Sequence, residues 1–197
     1  MDTIACDQEV EIRAILSLQQ QEKIYKHLKK NASYQGKVDI TDHYFCKKEV
    51  DSFSQVAMKD VGSYSLRLRS TTQDHLTTHQ LNTKIITQYN DHNAWKEHET
   101  TVTSFKQTHA ILHTIGYKVF FTLEKRRETF IQGHVNFHLE AIKDFKPILE
   151  IEILTTQASS QKSKKEILSH LQKLGVTQEQ IVPKSITHLL MEQKVNF

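Results

Sequence analysis

The sequence predicts an α+β fold in which an eight-stranded antiparallel sheet closes into a β-barrel and the helices pack outside it. Three observations support this prediction. About eight segments have the alternating or apolar pattern of β-strands, most of them are joined by short connections that suit antiparallel neighbours, and four segments have helical spacing. An open sheet of this size would leave two unpaired edges, so closure is expected.

The composition is that of one soluble globular domain, which we expect to span residues 1–197. Of its 197 residues, 38% are hydrophobic and 25% charged, and with 5 glycines and 2 prolines the chain has no flexible low-complexity linker. It contains no run of about 18 apolar residues, and its first ten residues are acidic where a signal peptide is basic. We therefore expect a cytoplasmic protein without a membrane partner.

Bulk charge and cysteine content exclude further classes of protein. A net charge of +3 at pH 7 is too small to indicate a nucleic-acid-binding protein, so an anionic partner must be recognised by a local cluster. Cys6 and Cys46 lie far apart without CxxC spacing, and we expect free thiols rather than a disulfide or a structural zinc site. His109 and His113 have a spacing that can bind metal, but a polar helix surface explains them more simply.

The first predicted strand, EVEIRAIL, alternates between charged and apolar residues. Successive side chains of a strand point to opposite faces, so one face of this strand is apolar and the other charged. The charged face carries Glu9, Glu11 and Arg13. A strand of this kind suits a sheet whose apolar face packs against helices.

Helices are predicted where a polar cap precedes an apolar stripe. LSLQQQEKIYKHLKKN opens with Ser17 and Gln20 in capping-box spacing, and SFKQTHAILHTIG opens with Ser104 and Gln107 in the same way. KKEILSHLQKLG ends at Gly175, a typical helix stop, and SITHLLMEQ forms a short final helix.

The remaining predicted strands fill the chain between the helices. They are KVDITDHYF, GSYSLRLRS, TKIITQY, KEHETTV, YKVFFTLEKRRETF, GHVNFHLE and ILEIEIL. In FTLEKRR, Phe121 and Leu123 have the same parity as Lys125 and Arg127. This strand is therefore expected to change character along its length or to contain a bulge.

Four strands stack charges of one sign on one face. The pairs are Glu9 with Glu11, Arg67 with Arg69, Lys125 with Arg127, and Glu150 with Glu152. A solvated face explains any single pair, but such a face usually mixes signs, whereas here the first and last strands are acidic and the middle ones basic. Stacked carboxylates repel one another unless a cation lies among them, and stacked Arg or Lys residues attract a polyanion. The pattern indicates a phosphate chain bound together with Mg²⁺, which takes carboxylate and phosphate oxygens as ligands.

The ordered motifs resemble those of the CYTH superfamily, the triphosphate tunnel metalloenzymes, and most of all its class IV adenylyl cyclases. The family's ExExK motif reads EVEIR here, and DHYF, LRLR, the lysine of TKIIT, KEHE, EKRR and LEIE follow in the family's order. The resemblance spans almost the whole chain, from Glu9 to SITHLL. Each motif is short, but the ordered set is fairly specific.

The resemblance implies an eight-stranded tunnel that binds a triphosphate with Mg²⁺ or Mn²⁺. It implies a set of metal-binding carboxylates: Glu9, Glu11, Glu140, Glu150 and Glu152. It implies a set of substrate-binding bases: Arg13, Arg67, Arg69, Lys84, Lys125 and Arg127. Among these bases the catalytic positions would be Arg13, Lys84, Lys125 and Arg127, and the roles of Glu97 and Glu99 stay open.

Two departures from the family pattern bear on mechanism. Arg13 stands where the family usually has lysine, and a guanidinium binds phosphate well but does not readily act as a general base. Glu140 replaces the usual aspartate, which keeps a carboxylate but lengthens its reach, and Lys146 replaces a glycine.

Three functions are compatible with these motifs. The leading one is the conversion of ATP to cyclic AMP and pyrophosphate, with Phe121 and Leu123 bordering the adenine. The second is hydrolysis of tripolyphosphate, thiamine triphosphate or a nucleoside triphosphate, and the third is non-catalytic binding of a nucleotide or polyphosphate. The charged motifs are common to all three, and the apolar helices leave room for a homodimer.

Overall fold

The computed structural model describes residues 8–56, 60–86, 95–155, 159–182 and 186–195. Cys6 and the end of the predicted strand TKIITQY lie outside these residues. The chain forms two compact units: the first unit comprises residues 1–37 and 126–184, and the second unit residues 38–125 and 185–197. None of the helices in the described ranges is long and apolar enough to cross a membrane.

The described residues contain five α-helices, nine strands and a short 3-10 helix (Gln178–Gln180). The helices are α1 (Leu18–Asn31), α2 (Phe53–Val56), α3 (Phe105–Thr114), α4 (Ser160–Lys173) and α5 (Ile186–Val195). The strands are β1 (Gln8–Ile15), β2 (Ser33–Lys47), β3 (Tyr64–Gln73), β4 (Leu76–Ile86), β5 (Trp95–Val102), β6 (Tyr117–Gln132), β7 (Val135–Ile142), β8 (Ile148–Thr155) and β9 (Ile181–Val182). They pair in the order β5-β4-β3-β2-β6-β7-β8-β1-β9.

The prediction of an α+β fold with a large antiparallel sheet is confirmed, whereas the prediction of a closed eight-stranded barrel is wrong. The described sheet is not closed and has nine strands. The ninth strand, β9, places Ile181 and Val182 opposite Ala14 and Arg13. It therefore covers a short part of the edge of β1 that does not pair with β8. Two residues are too few to show a period, which is why the sequence pattern does not reveal this strand.

The core of the first unit lies between its strands and helices α1 and α4. Val10 and Ala14 of β1, Phe137 of β7, Ile151 of β8 and Ile167 of α4 belong to one buried cluster. Burying each larger side chain contributes roughly 1.5–3 kcal/mol. Because one face of β1, β7 and β8 packs in this core, the charged residues between these positions lie on the other face, as alternation predicts.

Helix α1 begins at the predicted capping box. The Gln20 backbone N–H donates to Ser17 Oγ at 3.2 Å, and the Ser17 backbone N–H donates to Gln20 Oε1 at 3.1 Å. The Gln180 side chain donates to the Ile15 carbonyl at 2.8 Å and to Gln20 Oε1 at 3.0 Å. The start of α1 is thereby held beside the end of β1.

The second unit contains a long β3–β4 hairpin. Asp74 and His75 form its two-residue turn, with φ of 47° and 70°. Positive φ at both positions is typical of the tight turns whose twist matches that of the flanking strands. The hairpin explains why β4 begins at Leu76, earlier than the predicted strand TKIITQY.

A smaller core holds the second unit together. It is formed by Phe45 of β2, Leu68 of β3 and Leu112 of α3.

On β6, buried Phe121, Leu123 and Lys125 alternate with exposed residues. Apolar and basic side chains thus share one face of this strand, and it changes character along its length as expected.

Candidate metal and phosphate sites

Most of the predicted site residues of the first unit lie together on the face opposite its core. We call this group the acidic cluster, and it contains Glu11 and Arg13 of β1, Arg127 of β6, His138 and Glu140 of β7, and Glu150 and Glu152 of β8. The register of β1 with β8 places Arg13 opposite Glu150 and Glu11 opposite Glu152.

Glu150 is the centre of the acidic cluster. Its Oε2 accepts from Arg13 Nε at 2.6 Å, and its Oε1 accepts from Arg127 Nη2 at 3.0 Å. Arg13 Nη2 also donates to Glu11 at 2.5 Å, and Arg127 Nε donates to Glu140 at 2.7 Å. The two guanidiniums offset the charge of carboxylates that would otherwise be costly to bury.

Both arginines of the acidic cluster are held in the charged form. Burial would lower the pKa of Arg13, but Glu150 and Glu11 beside it outweigh burial, and its pKa lies above the usual value. The pKa of Arg127 is raised for the same reason, against the effect of burial, by Glu140 and Glu150. Neither side chain can accept a proton at neutral pH.

Glu152 has a different set of partners. His138 Nε2 lies 3.3 Å from Glu152 Oε2, and Asn136 Nδ2 donates to Glu152 Oε1 at 3.3 Å. Burial acts to raise the pKa of Glu152, but the hydrogen bond with His138 and then Asn136 bring the pKa below its usual value. Glu152 is therefore ionised at neutral pH.

Two of the five carboxylates predicted as metal ligands come close together. Glu150, Glu152 and His138 each offer a ligand atom, and these atoms lie within 4.8 Å of one another. Glu11 and Glu140 point into the same cluster but pair with arginines. Glu9 is half-buried at the start of β1, on the same face as Glu11.

The second unit contains a cluster with the opposite charge balance. We call this group the basic cluster, and it contains Asp42 of β2, Arg67 and Arg69 of β3, Lys84 of β4, Glu97 of β5 and Lys125 of β6. The register places Asp42 opposite Arg69 and Lys84 opposite Glu97.

Asp42 holds the two arginines of β3. Its carboxylate is fully buried and accepts from Arg69 Nε at 2.7 Å and from Arg69 Nη2 at 2.8 Å. Arg67 Nε lies 3.8 Å from Asp42 Oδ1. Burial acts to raise the pKa of Asp42, but the hydrogen bonds from Arg69 and the charge of Arg67 bring it below the usual value.

The other carboxylate of the basic cluster is nearer the solvent. The Glu97 side chain is 29% exposed and lies 3.0 Å from Lys84 Nζ and 3.9 Å from Arg67 Nη2. Asn82 also donates to Glu97. Arg67 Nε is buried and has no hydrogen-bond partner among the described residues. An anionic ligand would supply the acceptor that this donor lacks.

Sequence reasoning missed Asp42 and His138 as site residues. Asp42 lies in the quoted motif DHYF, directly across from Arg69. His138 follows Phe137 in a strand whose odd residues are apolar, so strict alternation would have placed it on the charged face with Glu140. Glu99, whose role was left open, is exposed on β5 opposite Asn82.

A sequence profile described as the CYTH domain matches residues 7–186 of the chain. No curated protein is similar enough to count as a match.

Solved structures show the same fold at low sequence identity. A protein from Pyrococcus horikoshii has a TM-score of 0.78 at 20% identity, covering 94% of this chain and 99% of its own. A candidate adenylate cyclase from Vibrio parahaemolyticus has a TM-score of 0.73 at 16% identity, covering 93% of this chain and 98% of its own. A candidate adenylyl cyclase from Hippeastrum, described as having a dominant triphosphatase activity, has a TM-score of 0.64 at 12% identity. The match covers 95% of this chain and 96% of the Hippeastrum chain.

Proposed function

This chain belongs to the CYTH domain family, and from that premise we propose that it is a metal-dependent enzyme acting on a triphosphate. The observation that supports the proposal is the opposite charge balance of the acidic and basic clusters. The acidic cluster has a surplus of carboxylates, and the basic cluster has a surplus of Arg and Lys. Carboxylates suit a divalent cation, and Arg and Lys suit phosphate oxygens.

The acidic cluster fits a divalent cation. Glu150 and Glu152 offer carboxylate oxygens within 4.8 Å of each other, and Glu152 has a lowered pKa. We propose that these two residues hold the metal and that Glu9, Glu11 and Glu140 complete the acidic surroundings. When bound, Mg²⁺ or Mn²⁺ would neutralise charge on phosphate oxygens.

The bases are proposed to bind and orient the phosphates. Arg67 has an unused buried donor, Arg69 is fixed by two hydrogen bonds to Asp42, and Lys84 and Lys125 add further positive charge. Transfer of a phosphoryl or nucleotidyl group depends mainly on positioning and charge neutralisation, which such residues supply. Arg13 and Arg127 contribute charge alone, because both remain protonated.

The specific reaction we propose is the cyclisation of ATP, as in the class IV adenylyl cyclases. The 3'-hydroxyl oxygen attacks the α-phosphorus, the bond from that phosphorus to the β-phosphate oxygen breaks, and the hydroxyl proton leaves with the pyrophosphate. Phe121 and Leu123 support a nucleotide substrate, because these apolar side chains share a face of β6 with Lys125. They would border the adenine.

Hydrolysis of a triphosphate is the second candidate. Arg13 favours it, because its guanidinium is fixed between Glu11 and Glu150 and cannot take a proton from a ribose hydroxyl. A bound metal would lower the pKa of water, so hydrolysis would not need such a base.

Product analysis tests both candidates. The protein is incubated with ATP or tripolyphosphate and Mg²⁺ or Mn²⁺, and the products are separated by anion-exchange chromatography. Cyclic AMP with pyrophosphate supports cyclisation, orthophosphate supports hydrolysis, and binding without product overturns the enzymatic proposal. Lys84→Gln is expected to slow turnover at least tenfold, whereas Lys96→Gln, an exposed neighbour on β5, is the matched control.

A further inference from the structure

His138 has the position and surroundings of a metal ligand. It lies on β7 directly opposite Glu150 of β8, and its side chain is 8% exposed. Nε2 is the ring nitrogen that faces the carboxylates, 3.3 Å from Glu152. A divalent cation placed among these side chains would therefore meet a nitrogen as well as oxygens.

The second ring nitrogen of His138 is also fixed. Nδ1 lies 3.0 Å from the Thr129 hydroxyl of β6, on the side of the ring away from Glu152. Ligating histidines usually have such a partner, which sets the tautomer and the orientation of the ring. A hydroxyl can donate or accept, so Thr129 suits a ring that carries its proton on Nε2 without metal and on Nδ1 with metal.

The two carboxylates of this group are positioned as firmly as the imidazole. Glu152 is held by Asn136, and Glu150 is held by Arg13 and Arg127. Each of the three ligands thus has an orienting partner besides the other two ligands. Such partners fix the ring and the carboxylates in place before a cation arrives.

We propose that His138 Nε2 coordinates the metal together with Glu150 and Glu152, and that this mixed nitrogen and oxygen set makes the site prefer Mn²⁺ to Mg²⁺. The inference rests on the proposed function in placing the metal in the acidic cluster. Mg²⁺ takes oxygen ligands almost exclusively. Mn²⁺ also favours carboxylate oxygens and is the weakest binder among the first-row divalent ions, but as a transition ion it accepts an imidazole nitrogen more readily than Mg²⁺ does. His138 would then be a residue that determines the choice of metal.

The test uses the full chain with metal alone, without triphosphate. Mn²⁺ and Mg²⁺ affinities are measured by isothermal titration calorimetry, and bound Mn²⁺ is examined by pulsed electron paramagnetic resonance for coupling to a nitrogen nucleus. The wild type is expected to bind Mn²⁺ more tightly than Mg²⁺ and to show the nitrogen coupling. Absence of the coupling, or of Mn²⁺ binding, overturns the proposal.

Variants separate a ligand from a structural residue. His138→Gln is expected to lose the nitrogen coupling and to weaken Mn²⁺ binding about 10–100-fold, with a smaller effect on Mg²⁺. Thr129→Val is expected to weaken Mn²⁺ binding about tenfold while keeping the coupling. This variant provides the test if His138→Gln does not fold. His134→Gln, whose side chain is 65% exposed and pairs with Glu166, is the matched control and is expected to change nothing.

The outcomes also distinguish this inference from the proposed function. Nitrogen coupling without turnover of any triphosphate supports the inference and overturns the proposed function. Turnover by a protein whose bound Mn²⁺ shows no nitrogen coupling overturns the inference alone. A His138→Gln variant that keeps the coupling likewise overturns it.

Discussion

The acidic and basic clusters bury charge in the same way but with an opposite surplus. In the acidic cluster two guanidiniums face four carboxylates, whereas in the basic cluster two carboxylates face four cationic side chains. Ion pairs fix the side chains in both clusters. The clusters differ in the sign of their net charge. That sign, rather than the number of ion pairs, indicates whether a cluster binds a cation or an anion.

Removal of the buried Asp42 carboxylate, at the centre of the basic cluster, is expected to cause the largest loss in the free energy of unfolding. Asp42→Asn leaves Arg69 and Arg67 without their buried counter-charge, so the free energy of unfolding should fall by about 3–5 kcal/mol in urea denaturation. Glu97→Gln is the control, since this side chain is 29% exposed and should cost about 1 kcal/mol or less. Equal losses in the two variants would contradict the central role of Asp42.

Two variants, one in each cluster, test whether the surplus carboxylates of the acidic cluster and the surplus cationic side chains of the basic cluster bind different ligands. Glu152→Gln should weaken the binding of Mn²⁺, measured without triphosphate, about 100-fold, because the substitution removes an ionised ligand. Lys84→Gln should leave Mn²⁺ binding unchanged and weaken tripolyphosphate binding roughly 10–100-fold, the effect of one charge-assisted hydrogen bond. Calorimetry with each ligand measures both, and a variant that loses the two ligands equally would argue against separate roles.

Arg13→Lys restores the usual residue of the family and is expected to have a moderate effect. One ammonium cannot reproduce the hydrogen bonds that the guanidinium makes to Glu11 and Glu150, so the free energy of unfolding should fall by about 1–2 kcal/mol in urea. Lys26→Arg, at the exposed pair with Glu22, should change it by less than about 0.5 kcal/mol. An unchanged Arg13→Lys protein would show that the geometry of the guanidinium is unimportant.

Alkaline pH is expected to have the smallest effect on stability, and it acts in both units, because burial also raises the pKa of Tyr34 in the first unit. The hydrogen bond to Tyr117 and then burial raise the pKa of Tyr64, in the second unit, to about 12. Because the folded state holds this proton more tightly than the unfolded state, the stabilisation is present below pH 10 or so and is lost as pH rises toward 12. The arginines of the acidic cluster stay protonated over this range.

Tyrosinate absorbance followed during a pH titration measures the effect of Tyr64. Tyr64→Phe should remove one late-titrating step and reduce the alkaline loss of stability, while the raised pKa of Tyr34 remains. A Tyr64 that ionises at the ordinary tyrosine pKa of about 10 would contradict the role of the hydrogen bond.

Local patterns in the sequence predicted most elements and the charged strand faces. Alternation in EVEIRA placed Val10 and Ala14 in the core and Glu11 and Arg13 opposite it, and the caps at Ser17 and Ser104 mark the starts of helices as predicted. These features depend on neighbours along the chain, which a sequence displays directly.

Features that depend on distant partners could not be predicted in this way. A lone polar residue in a strand looks like a surface residue until its cross-strand partner is known, as for Asp42 with Arg69 and His138 with Glu150. The ninth strand was missed for a related reason, since its two residues pair with Arg13 and Ala14, which are distant in the sequence. The specific roles of the charged side chains stay predictions for the experiments above.

The placement of β1 between β8 and β9 has a consequence for biosynthesis. At about 5–20 residues per second, the ribosome reaches β8 on the order of ten seconds after completing β1. Strand β1, which precedes the other described strands in the chain, is therefore among the last to gain hydrogen-bonded neighbours, and Glu11 and Arg13 meet Glu150 only then. We expect nascent chains stalled before residue 148 not to retain Mn²⁺, so that metal acquisition reports on the completion of folding.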